Sequence, residues 1–233
     1  MPPSAPHNRY FRRAHLSEAK FRQVVRLFAL DLTATDAAEL TGLTRKTVTD
    51  LYLRIRRRLA EASAREAPWT PGEVEVDEAY FGARRVRGKP GRGAGGKTPV
   101  LGLKKRHGKV YAEVVPNCSK AVLQQVIRGR VPLESVIHSD AWGGYDGLVD
   151  VGYAKHHRVR HADGEYVRAE GGTSTHVNGV ESFWAFAKQR LSRFRGLPPH
   201  TFHLHVKECE WRFNTRRPER YRALLALLEE HPL

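Results

Sequence analysis

Asp77, Asp140 and Glu181 are the side chains of this sequence with the strongest claim to chemistry. Carboxylate oxygens suit hard cations such as Mg2+ or Mn2+. Two such ions held between carboxylates from separate stretches can activate one oxygen at a phosphorus centre while stabilising the departing one, which is what phosphodiester cleavage requires. An in-line displacement of that kind needs no Ser, Tyr or Cys nucleophile. Asn178 lies three residues before Glu181, on the polar side of the same segment, and could assist a metal-bound water or a phosphate. Glu75 and Glu78 flank Asp77: strand alternation turns Glu78 to the opposite face and leaves Glu75 as a competitor.

These acids need elements that converge. Around Asp77, Val74 and Val76 alternate with Glu75 and Asp77, the pattern of a strand that carries acids. Residues 99–105 and 109–115 form a hairpin through His107 and Gly108. Ser119 opens a helix through Val126, and residues 135–138 form a short strand that delivers Ser139 and Asp140 at its end. Residues 154–175 read as a polar loop or insertion, and 177–193 as a helix. At about 100° per residue, Val180, Trp184, Ala187 and Leu191 share one stripe of that helix, while Glu181 and Lys188 project together roughly a quarter turn away. Strand, hairpin, helix, strand, helix is the order of an α/β, ribonuclease H-like core, with one acid in the first strand, one ending a later strand and one on the following helix.

Ahead of this core the periodicity is helical. Phe21, Val24, Val25, Leu27 and Phe28 mark one helix, 35–43 a second, and 44–59 a third with Val48, Leu51, Tyr52 and Ile55 inward. Ala38, Gly42 and Val48 have the spacing of a helix-turn-helix: a small residue at the crossing, glycine in the turn, a β-branched core residue after it. Arg45, Lys46, Thr47 and Thr49 then begin a DNA-recognition helix, and Arg54 with Arg56, Arg57 and Arg58 offers a basic face toward phosphates. The expected organisation is a flexible arm over 1–15, a helix-turn-helix domain over 16–66, a Pro-containing linker over 67–72, a catalytic domain over 73–222 and a tail over 223–233.

Composition agrees with a polyanionic partner. Forty Lys and Arg oppose 25 Asp and Glu, for a formal charge of +15 and a pI near 10.2. No apolar run suits a membrane span or a cleaved leader, so a cytoplasmic, DNA-associated protein without membrane contact is expected. Cys118 and Cys209 lack the paired spacing of a zinc site.

Three blocks bring a family into view: Val74-Glu-Val-Asp-Glu-Ala-Tyr-Phe-Gly82, His138-Ser-Asp-Ala-Trp-Gly-Gly-Tyr145 and His176-Val-Asn-Gly-Val-Glu-Ser-Phe-Trp184, with Lys188 behind them. In this order they resemble the catalytic blocks of DDE transposases of the IS1595 family, ISXO2-like group, over about residues 70 to 220, including the stretch Glu210-Trp-Arg-Phe-Asn-Thr-Arg216. The resemblance implies that Asp77 and Asp140 hold two divalent ions, Mg2+ or Mn2+, with Glu181 as third ligand and Asn178 as the alternative third residue. It further implies that Lys188 touches DNA near the cleaved phosphate, and that subunits pair two DNA ends in at least a homodimer. The function so implied is binding of double-stranded transposon ends, cleavage, and transfer of the 3′ ends to target DNA. A nuclease without strand transfer, or a non-catalytic or decayed DNA-binding protein, are the alternatives. Relatives often carry a cysteine-rich zinc segment before the catalytic domain; this sequence lacks those cysteines, so no zinc is expected.

Residues 91–98 satisfy the spelling of a phosphate-binding P-loop, which works only between a strand and a helix N-terminus. A strand-like run follows instead, and the stretch with Arg84, Arg85, Arg87 and Lys97 reads better as a basic arm for DNA phosphates. Trp142, beside Asp140, is a candidate for stacking on a base. The histidines match no closed metal pattern.

Overall fold

The computed structural model describes residues 8–12, 15–82, 97–140, 152–159, 178–194 and 196–233, except the side chains of Asp140, Arg158 and Val159. The chain divides into two compact units, residues 1–65 with 211–233, and residues 66–210.

The first unit is helical. Helix α1 (Glu18–Ala29) starts where the Ser17 side chain accepts from Lys20 N at 3.3 Å. Helix α2 (Ala34–Thr41) starts with a capping box between Thr33 and Asp36 and stops at Gly42, whose φ of 69° is a left-handed end that glycine adopts without strain. Helix α3 (Arg45–Arg65) runs six residues past the expected end at Leu59, because no breaker intervenes before Pro68. Phe21, Val24, Val25 and Phe28 interlock with Val48, Leu51, Tyr52 and Ile55, all buried.

Two expectations fail in this unit. Residues 223–233 are no tail: they lie mostly in a helix (Arg220–Glu230) whose Leu224 and Leu228 are fully buried in the same core. The boundary accordingly falls between Glu210 and Trp211 rather than after 222. The basic face of α3 also loses two members. Arg56 is buried over the rings of Phe28 and Tyr52, since it follows Tyr52 by one helical turn, and Arg58 donates to Glu61 and to the carbonyl of Pro232. Arg54 and Arg57 stay exposed. Arg212 is buried and closes the end of α1, donating to the carbonyls of Phe28 at 2.6 Å and Ala29 at 3.2 Å.

The second unit is built on a mixed α/β sheet. Among the described residues it has strands β1 (Glu73–Phe81), β2 (Thr98–Lys105), β3 (Val110–Val114), β4 (Val136–Asp140) and β5 (Lys155–Val159), in the order β3-β2-β1-β4-β5. The pairs β1·β2 and β2·β3 are antiparallel, and β1·β4 and β4·β5 parallel. The hairpin turns at His107, with φ of 56°, and Gly108. Strand β5 falls in the stretch expected to be loop: its Lys-His-His-Arg-Val sequence lacks apolar alternation and is recruited by backbone pairing with β4.

Helices cover both faces. Helix α4 (Lys120–Arg130) packs Leu123 and Ile127 on Val74, Val76, Leu101, Leu103 and Ile137. Helix α5 (Asn178–Leu191) lies on the other face against β1 and β2. Helix α6 (Pro199–Asn214) belongs to this unit up to Glu210, whose carboxylate accepts from the backbone of Ala112 in β3 at 2.8 Å. No described helix is long and apolar enough to cross a membrane.

Candidate active site

The site is set first by backbone register. Parallel pairing of β1 and β4 joins Glu75 with His138 and Val76 with Ser139, so the next residues along the two strands are Asp77 and Asp140. Neighbouring strands lie about 4.8 Å apart. That spacing matches carboxylates that share ions about 3.5 to 4 Å from each other. Asp140 is still within its strand, paired with Val159 on the other side; its side chain lies outside the described residues.

Helix α5 is fixed along β1 at two points. At its start, the buried carboxylate of Glu75 accepts from Gly179 N at 2.8 Å and Val180 N at 3.0 Å, satisfying donors that a helix N-terminus leaves open and placing negative charge where the helix dipole favours it. A Cβ on Gly179 would stand 2.8 Å from Glu75 Oε2, so only glycine allows this approach. One helical turn on, the Trp184 indole donates to Asp77 Oδ2 at 3.0 Å. The ring lies over Gly102, the β2 partner of Asp77, where a Cβ would come within 2.5 Å of Trp184 Cζ2. A residue without a side chain opposite Asp77 thus makes room for the ring that holds Asp77.

Glu181 sits between these two anchors, exposed, in the first turn of α5. It is three residues from Trp184, and such helical neighbours have Cβ atoms about 5 to 6 Å apart. The expected faces of the helix hold: Val180, Trp184, Ala187 and Leu191 are buried, Glu181 and Lys188 exposed. Asn178 is the exposed first residue of α5. No group of three or more His, Cys, Asp or Glu side chains stands at metal-binding distance among the described residues, a set without the Asp140 carboxylate.

At the opposite end of β1 the polar groups answer one another. Arg106 pairs with Glu73 and places Nε 3.6 Å from Glu75 Oε1. His138 Nε2 stands 2.9 Å from Glu73 Oε2, and its buried Nδ1 has no hydrogen-bond partner. Burial, with Arg106 nearby, pushes the His138 imidazole down to about 4, so it is neutral at pH 7 and donates from Nε2.

Lys188 and Lys97 line one cavity of about 850 Å3 beyond the end of β1, together with Phe81 and Phe202. In the helical unit, Arg45, Lys46, Thr47 and Thr49 are exposed at the start of α3, where Thr44 caps the helix by accepting from Thr47 N at 3.1 Å. Arg84, Arg85, Arg87 and Trp142 lie outside the described residues. Thr98 opens strand β2 rather than a helix, which removes the structural context a P-loop needs. Sequence reasoning had not given Glu75, Gly102, Gly179 or Trp184 these roles; glycines at 102 and 179 were the available signal of close approach.

The ISXO2-like transposase domain matches residues 70–214 of this chain. An uncharacterized transposase-like protein of Haemophilus influenzae is 41% identical over 106 residues, 46% of this chain and 81% of that protein. An uncharacterized protein in transposable element ISH50 of Halobacterium salinarum is 30% identical over 197 residues; the match covers 77% of this chain and 64% of that protein. Among solved structures, the Mos1 mariner paired-end complex with Mn is 14% identical and covers 93% of this chain and 77% of that one at a TM-score of 0.37, too low to assign a shared fold. The domain match over residues 70–214 spans the strands and helices that carry Asp77, Asp140 and Glu181, and the chain belongs to the ISXO2-like transposase family.

Proposed function

We propose that the chain is an insertion-sequence transposase that binds double-stranded transposon ends, cleaves phosphodiester bonds with divalent ions and transfers the freed 3′ ends to target DNA. The observation that carries this reading is the register of Asp77 and Asp140 on neighbouring parallel strands, beneath the helix that presents Glu181. The catalytic domain is ribonuclease H-like in this reading, supported by the sheet order β3-β2-β1-β4-β5 with helices on both faces.

The donor set fits hard divalent cations: Asp77 and Glu181 are not sealed from solvent, and Asp140 follows in register. Asp77, Asp140 and Glu181 would hold Mg2+ or Mn2+, with Asn178 as the alternative third residue. Bound there, the ions would supply Lewis acidity at the attacking and leaving oxygens. The chain's own residues position the rest. Trp184 orients one Asp77 oxygen, Glu75 fixes the start of α5 and hence Glu181, and Lys188 offers a positive charge on the exposed side of the same helix. The helices before the sheet serve as a helix-turn-helix, with Arg45, Lys46, Thr47 and Thr49 toward DNA, supported by the left-handed turn at Gly42 and the exposure of those side chains. Two subunits would pair two ends.

The test is a substrate carrying the element's terminal repeats, incubated with Mg2+ and a target plasmid. Asp140→Asn is expected to abolish both nicking and strand joining while keeping DNA affinity. Equal nicking by that variant would refute the acid assignment, and nicking without joining in the parent protein would reduce the activity to that of a nuclease.

A further inference from the structure

We infer that the cavity beyond the C-terminal end of β1 is a pocket for one unstacked nucleobase of the bound DNA, a reading that rests on the proposed DNA chemistry. The cavity, of about 850 Å3, lies within the range of about 300 to 1,000 Å3 that encloses small ligands. Its walls include four flat aromatic side chains, Tyr80 and Phe81 from β1, Phe194 after α5 and Phe202 from α6, beside the aliphatic Leu191 and Leu197. Phe81 and Phe202 are tilted by 52° with centroids 5.6 Å apart, and Tyr80, Phe194 and Phe202 are only partly buried.

Its position points to DNA rather than to a free metabolite. Phe81 is four residues past Asp77 on the same strand face, about 13 Å away at about 3.3 Å per residue. Phe81 meets the edge of Trp184 at 6.0 Å, and Trp184 bonds Asp77, so one aromatic wall leads from the candidate acid into the cavity. At about 3.4 Å per nucleotide along a duplex strand, that span places the pocket a few nucleotides from the cleaved phosphate. Lys97 and Lys188 line the same cavity, where their positive charges suit the phosphates flanking an extruded base. Aromatic walls with cations beside them accept any base by stacking.

The test compares binding of the full-length chain to a short DNA duplex with one unpaired 2-aminopurine and to the same duplex fully paired. The expected result is roughly tenfold tighter binding of the unpaired probe, from stacking of a single base, with its fluorescence quenched in the complex. Ser192→Trp, which fills the cavity from an exposed lining position, should erase the preference and the quenching while leaving affinity for paired DNA unchanged. Phe202→Ala should do the same and Phe202→Tyr should restore it. Equal binding of both probes by the parent protein, or a preference that survives Ser192→Trp, would overturn the pocket alone. A parent protein that binds neither probe would overturn the DNA reading beneath it. A second copy's side chain as occupant would appear as probe-independent binding with an oligomeric state changed by Ser192→Trp, and would also overturn the proposal.

Discussion

The two halves of β1 carry carboxylates on the same face of the same strand and put them to opposite uses. In the first half, Glu73 meets Arg106 and His138, and Glu75 accepts two backbone N–H groups from α5. In the second half, Asp77 accepts from a neutral indole and stands next in register to Asp140. A carboxylate answered by cations and helix N–H groups is committed to architecture; one with a neutral donor beside a second acid can attract a cation. Spacing along the strand is the same from 73 to 75 and from 75 to 77, so the difference lies in what the opposing elements bring.

The sharpest way to break this comparison is to neutralise each acid in turn. Asp77→Asn keeps an acceptor for Trp184 and should leave urea stability within about 1 kcal/mol, while losing the several kcal/mol of metal-assisted stabilisation, roughly a 10³-fold drop in cleavage. Glu75→Ala should show the reverse order of effects, losing about 2 to 4 kcal/mol in urea titration because two charge-assisted bonds vanish, with activity falling as α5 loosens. Should Glu75→Ala keep its stability and lose cleavage as completely as Asp77→Asn, the roles are misassigned. Trp184→Phe sharpens the second half by removing the donor and keeping the ring: cleavage should fall about 10- to 100-fold with a stability change of about 1 kcal/mol. Unchanged cleavage would make Trp184 a packing residue only. Gly179→Ala probes the first half most gently. Its Cβ would crowd Glu75 Oε2 from 2.8 Å, costing about 1 to 2 kcal/mol, partly offset by the helix preference of alanine. A net loss of about 1 kcal/mol or less in the same urea titration is expected; a gain in stability would mean that the contact relaxes freely.

Much of this arrangement was legible in the sequence, for local reasons. Val74 and Val76 alternating with Glu75 and Asp77 fixed β1 and its faces, and helical spacing fixed which side of α5 is buried. The separate role of Glu75 was not legible, because alternation puts Glu75 and Asp77 on one face and says nothing of the helix start that will meet the first. Strand β5 was invisible, because edge pairing through the backbone demands no apolar pattern from Lys155, His156 and His157. Arg56 looked solvent-facing by type but follows Tyr52 by one turn, and position outweighed charge once the aliphatic stem could lie on Phe28. The helix from Arg220 could have been found, since Leu224 and Leu228 repeat at four residues.

The convergence of Asp77, Asp140 and Glu181 on shared ions can be tested without DNA or turnover. Fe2+ loaded in place of Mg2+, with ascorbate and peroxide, generates hydroxyl radicals that cut the polypeptide beside the bound ion, and mass spectrometry locates the cuts. The account predicts cuts clustered near residues 77, 140 and 178–181, suppressed by excess Mg2+ and absent in Asp77→Asn. Cuts confined to other segments, or an identical pattern in that variant, would contradict it.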